Sequence, residues 1–77
     1  MEIINGSPLE QQPSEFREYF DNYIRSELTE EKAEEKDSYN RPVVWCVSGY
    51  KITAIYIYPY RSNRSFNYFL IEKHESI

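Results

Sequence analysis

Between Tyr50 and Tyr58 the chain carries apolar residues at both alternating positions. One parity reads Tyr50, Ile52, Ala54, Tyr56 and Tyr58; the other reads Lys51, Thr53, Ile55 and Ile57. A second stretch repeats the pattern, with Phe66, Tyr68, Leu70 and Glu72 set against Ser65, Asn67, Phe69, Ile71 and Lys73. Successive residues of a strand point to opposite faces. A sheet wetted on one side shows a clean apolar–polar alternation. These strands are apolar on both sides through their middles, so the fold must cover both faces or leave one to a partner.

The rest of the chain supplies one cover. Ser14 is a good helix N-cap, and Glu15 and Glu18 in the first turns favour the positive end of the helix dipole. Phe16, Tyr19, Phe20, Tyr23, Ile24 and Leu28 then recur at three- and four-residue steps, which places them on one helical face. Beyond Leu28, the segment Thr29 to Lys36 is rich in Glu and Lys, with Ala33 its only apolar residue. The sequence predicts a helix over 14–36 that frays near residue 34, because the charges there pair poorly. Upstream, Glu2–Ile4 reads as a short strand ended by the Asn5-Gly6 turn signal. Ser7-Pro8-Leu9-Glu10 has the form of a capping box, and Pro13 leaves room for one turn at most over 8–12.

After a loop at 37–42 come three strand signals. Val43–Val47 is β-branched and aromatic, and Ser48-Gly49 marks a tight hairpin leading into Tyr50–Tyr58. A polar connection over 59–65 then precedes Phe66–Lys73. The expected fold is α+β in two layers: one main N-terminal helix packed on a three-stranded antiparallel meander, with a short extra N-terminal strand. It forms a single small domain over 1–77, divided into a strand and turn segment at 1–13, the helix at 14–36 and the sheet at 42–73.

Charge respects the same division. Residues 1–38 hold eleven carboxylates and four basic side chains, and residues 39–77 hold two and five, so a net −7 faces a net +3. Six of the eight tyrosines and the single tryptophan lie in the basic half. With 77 residues the core is small. One cysteine and one histidine exclude an intrachain disulfide and a four-ligand zinc site as staples. The longest apolar run, Ile52 to Tyr60, falls short of the ~20 residues of a membrane helix, and no basic-then-apolar leader opens the chain. The expected setting is cytoplasmic. The tilt toward Ile, Tyr, Asn and Lys fits an AT-rich coding sequence, as in a phage, a mobile element or an AT-rich bacterium.

Catalytic chemistry has little support. Cys46 sits in mid-strand as a small core residue and His74 stands solvated near the end, with no spacing that joins them. Two glycines cannot build a phosphate loop, and the helix carboxylates do not converge, so no catalytic residue, cofactor or metal is expected. The candidate partner-binding set is Tyr56, Tyr58, Tyr60, Arg61, Arg64, Phe66 and Tyr68. Tyr and Arg dominate protein-interface hot spots. The same types can stack bases and hold phosphates, although a net charge of −4 opposes nucleic-acid binding. The sequence therefore predicts a small non-enzymatic protein–protein interaction module, an inhibitor or regulator. It acts through the aromatic and arginine sheet surface, with the acidic helix as a second surface, on a protein partner or on itself as a homodimer. Single-stranded nucleic acid or a nucleotide is the alternative ligand.

Overall fold

A computed structural model of the chain describes residues 1–60 and 63–74, with the side chains of 58–60, 63 and 64 outside that description. The described residues form an α+β fold in two layers. β1 (Ser7–Pro8) leads into a 3-10 turn (Leu9–Gln11) and α1 (Ser14–Tyr19). The helical rod continues through a π turn (Phe20–Ile24) and a 3-10 turn (Arg25–Glu27). β2 (Glu35–Lys36), β3 (Pro42–Val47), β4 (Tyr50–Tyr60) and β5 (Asn63–Lys73) complete one antiparallel sheet in the order β1-β5-β4-β3-β2.

The sheet has five strands, not the expected three. The β3–β4–β5 meander is its centre, and a two-residue strand lies on each flank. The N-terminal strand falls at Ser7–Pro8 rather than at Glu2–Ile4. Ser7 pairs with Ile71, and the Gly6 N–H donates to the Ile71 carbonyl at 2.8 Å. That placement consumes the expected capping box, since the adjoining 3-10 turn receives no side-chain cap bond. The limit of one turn before Pro13 holds.

The helix ends at Glu27, nine residues short of the expected 36. Its buried face explains both its path and its end. Phe16, Phe20 and Ile24 are fully buried. Residues four apart overshoot a 3.6-residue turn, and the wider i→i+5 turn, in which the Arg25 N–H donates to the Phe20 carbonyl, brings them back into line. Leu28 is the last apolar residue of the stripe, and its backbone (φ −85°, ψ 64°) leaves the helix. Past it nothing remains to bury, and good helix formers alone do not hold a short helix in water. The segment instead folds into turns. The Trp45 indole N–H donates to the Thr29 carbonyl at 2.8 Å, and the Glu34 N–H reaches the Val44 carbonyl at 2.7 Å. Glu35 and Lys36 then pair with β3.

The β3–β4 hairpin is the expected one. Val47 faces Tyr50 across a two-residue turn in which Ser48 (φ 53°) and Gly49 (φ 82°) both take the left-handed backbone that such a turn demands. β4 and β5 are eleven residues each and take in residues 59–60 and 63–65, which the sequence assigns to a polar connection.

Register assigns the faces. The rows Trp45–Ile52–Ile71 and Ala54–Phe69 point to the helix, where Ile52 and Ile71 join Phe16, Phe20 and Ile24 in the buried cluster. The helix therefore covers the parity of Tyr50, Ile52 and Ala54. Gln12, 3% exposed, ties the N-terminal segment to this layer. Its amide accepts from the Ile4 N–H at 2.8 Å and donates to the Ile4 and Ser7 carbonyls at 2.8 and 3.1 Å.

Candidate protein-interaction surface

β5 contains a bulge that rearranges the candidate residues. Ile55 pairs with Tyr68 and the next residue, Tyr56, pairs with Phe66, so Asn67 is an extra residue without a counterpart on β4. A bulge of this kind shifts the alternation of the strand that carries it. Phe66 consequently joins the helix-side aromatics, with its ring centroid 4.7 Å from Phe69 and 6.1 Å from Tyr56. Tyr68 stays on the opposite face beside Ile55. The alternation of the sequence puts Phe66 and Tyr68 together, and the bulge separates them.

The helix-side strip runs from the core outward. Phe20 packs on Phe69 at 5.6 Å, and Trp45 meets the same ring edge-on at 6.4 Å. Arg25 lies above both phenylalanines, its guanidinium carbon 5.1 Å from the Phe20 centroid and 5.9 Å from that of Phe69. Asp21, one turn earlier, holds it there through contacts of 3.0 and 3.1 Å. Such a cation gains from the ring quadrupole as well as from its carboxylate. The rod ends two residues after Arg25, at Glu27, and the strip continues outward to Phe66, which is 50% exposed. Tyr56 is half-buried, its hydroxyl 3.4 Å from the Pro42 carbonyl oxygen.

Of the residues expected at the site, Tyr56 and Phe66 come together and Tyr68 does not join them. Tyr58, Tyr60, Arg61 and Arg64 carry side chains outside the described residues. Arg25 is an addition that the sequence does not announce. As part of an acidic amphipathic helix it reads as a solvated residue, and only the i,i+4 spacing from Asp21 hints that it is held in place. The acidic surface is present on the rod, where Glu15, Glu18 and Asp21 are exposed.

Cys46 and His74 are closer than their spacing implies, with Sγ 3.7 Å from Nδ1. Cys46 is half-buried and lies on the face away from the helix, opposite Lys51, so it is not a core residue. Among the described residues no group of three or more His, Cys, Asp or Glu side chains could hold a metal ion, and no cavity opens. The candidate site is thus a surface rather than a pocket. No described helix is long and apolar enough to cross a membrane.

Comparison with protein-family models, with curated proteins and with solved structures finds no match to this chain.

Proposed function

We propose that this chain is a small non-enzymatic protein–protein interaction module, an inhibitor or regulator of phage or mobile-element origin, working in the cytoplasm. The observation that carries the reading is Phe66. A phenylalanine half in water, packed against Tyr56 and against Phe69, whose ring lies under the anchored Arg25, has the composition of an interface hot spot. Leaving it exposed costs hydrophobic free energy that a partner would recover. The rod's carboxylates supply a second surface that steers a basic partner into place. Self-association belongs to the same reading, since one helical layer leaves a sheet face without cover.

The test is affinity capture from the source cells with the wild-type chain and with Tyr56→Ala/Phe66→Ala. The expected result is a discrete partner that binds the wild type and is lost on double substitution. Capture of the same proteins by both chains, or of none, contradicts the proposal.

The alternative ligand, single-stranded nucleic acid, draws on the same aromatic strip with Arg61 and Arg64. It has less support, because Arg25 is already paired with Asp21 and the net charge is −4. Retention on an oligonucleotide column at low salt, lost steeply as salt rises, would favour it. Flow-through would end it.

A further inference from the structure

The face of the sheet away from the helix is built differently from the rest of the surface. Register lines up Pro8, Leu70, Thr53 and Val44 in one row across β1, β5, β4 and β3. Ile55 and Tyr68 form the next row away from the β3–β4 hairpin, and Ile57 with Ser65 the one after. The buried cluster and the residues packed on it belong to the other face. Ile57, 47% exposed, stands in the open. The charges here are few. Lys51 faces Glu72 directly across β4 and β5, and Glu35 sits at the β2 margin.

We propose that this face is the dimerisation surface of the chain, and that its occupant is the same face of a second copy packed about a two-fold axis. The inference rests on reading the chain as an interaction module. It assigns self-association to the Ile55–Tyr68–Leu70 face, leaving the Tyr56–Phe66 strip to other partners.

Electrostatics selects the occupant. Two identical surfaces meet only if neither carries a strong excess of one sign. The rod's exposed carboxylates, in a half of the chain with net −7, rule out that side for self-contact. On the open face the one central cation is balanced by the carboxylate opposite it, and the remaining central residues are uncharged. The area sets the strength of the contact. Strands about 4.8 Å apart, rising about 3.3 Å per residue, give these rows a footprint of about 300 to 400 Å², since only the Pro8–Val44 row crosses four strands. That is about half of the ~800 Å² per partner of a standard interface, so the self-contact is a weak, concentration-dependent one. Face-to-face sheets pack about 10 Å apart with strands about 30° from aligned, so the interdigitating residues would be Ile55, Ile57, Tyr68 and Leu70. The assembly has helices outside and two sheets inside, and it gives a small domain the second layer that its own chain lacks.

Light scattering on size-exclusion chromatography tests the proposal. The expected mass rises with loading concentration from 9.3 kDa toward twice that value for the wild type and for Phe66→Ala. Leu70→Glu and Ile57→Asp are expected to weaken association by about a hundredfold, because each would bury an unpaired charge at the contact. Ile57 is exposed in the single chain, so Ile57→Asp remains informative if Leu70→Glu fails to fold. A wild type that stays at 9.3 kDa up to millimolar loading, or a dimer that survives Ile57→Asp with its helix content intact, overturns the assignment. A monomer that still captures a protein through Phe66 refutes the dimer while sparing the module reading. A dimer that loses its self-contact with Ile57→Asp yet captures nothing else supports the dimer and refutes the target surface.

Discussion

Phe66 and Tyr68 are two residues apart in one strand and stand on opposite faces of the sheet. Phe66 lies 4.7 Å from the Phe69 ring on the helix side, while Tyr68 pairs with Ile55 on the other. In a regular strand residues i and i+2 share a face. Asn67 is the cause. As the unpaired residue of the bulge it uses one position without advancing the register, and it divides one aromatic run into two surfaces.

Removing Asn67 should therefore be tolerated. A one-residue deletion inside a strand ordinarily turns every later side chain to the wrong face. Here Phe66 would still pair with Tyr56 and Tyr68 with Ile55, now through a regular ladder. The deletion variant is expected to fold with stability within about 1 kcal/mol of wild type, about the contribution of one ladder hydrogen bond. Urea denaturation measures it, and an unfolded variant would show that the bulge is not the pivot described.

Gln12→Ala should loosen the N-terminal segment. The amide holds Ile4 by both its N–H and its carbonyl, and also reaches Ser7. Ile4 is half exposed, so water can replace part of the lost bonding, and the expected cost is about 1–2 kcal/mol. Amide exchange at Ile4 and Gly6 should accelerate well beyond that at Ile52. Unchanged exchange at Ile4 would mean that the amide does not anchor the segment.

Phe20→Ala strikes the centre of the core. Phe20 is fully buried and touches Phe16, Phe69 and Arg25. Truncating a buried phenylalanine costs about 3–5 kcal/mol, and a chain of this size has roughly 4–10 kcal/mol in all. The melting temperature should fall by at least about 12 °C in a circular dichroism melt. A smaller shift would mean that the helix is not seated on the sheet through this residue.

Trp45→Phe separates packing from hydrogen bonding. The ring can keep its edge contact with Phe69, but the bond to the Thr29 carbonyl is lost. About 1 kcal/mol of destabilisation is expected. Faster amide exchange should concentrate at Lys32 and Glu34, whose bonds belong to the turn that Trp45 pins. A uniform change across the sheet would assign the effect to packing instead.

Much of this architecture is legible in the residues. Phe16, Phe20 and Ile24 announce a buried helical stripe, and Val47-Ser48-Gly49-Tyr50 announces its hairpin, because both signals are local and repeated. β1 and β2 are not legible, since two residues have no period and pair only because β5 and β3 present edges to them. The helix end is easily misread because Glu, Lys and Ala are helix formers, whereas the deciding fact is that residues 29–36 add no apolar side chain to the core cluster. The bulge leaves no trace at all: Phe66, Tyr68 and Leu70 alternate as an ordinary strand does, and only pairing with β4 exposes the extra residue. The approach of Cys46 to His74, 28 positions away in sequence, likewise depends on register.

The division of the aromatic run into two surfaces is tested most directly by aromatic nuclear Overhauser contacts in the labelled wild-type chain. Phe66 ring protons should show strong contacts to Phe69 and Tyr56, and Tyr68 ring protons should show contacts to Ile55 and Leu70, with none between the Phe66 and Tyr68 rings. Strong contacts between Phe66 and Tyr68, with Phe66 silent toward Phe69, would place both on one face and contradict the division.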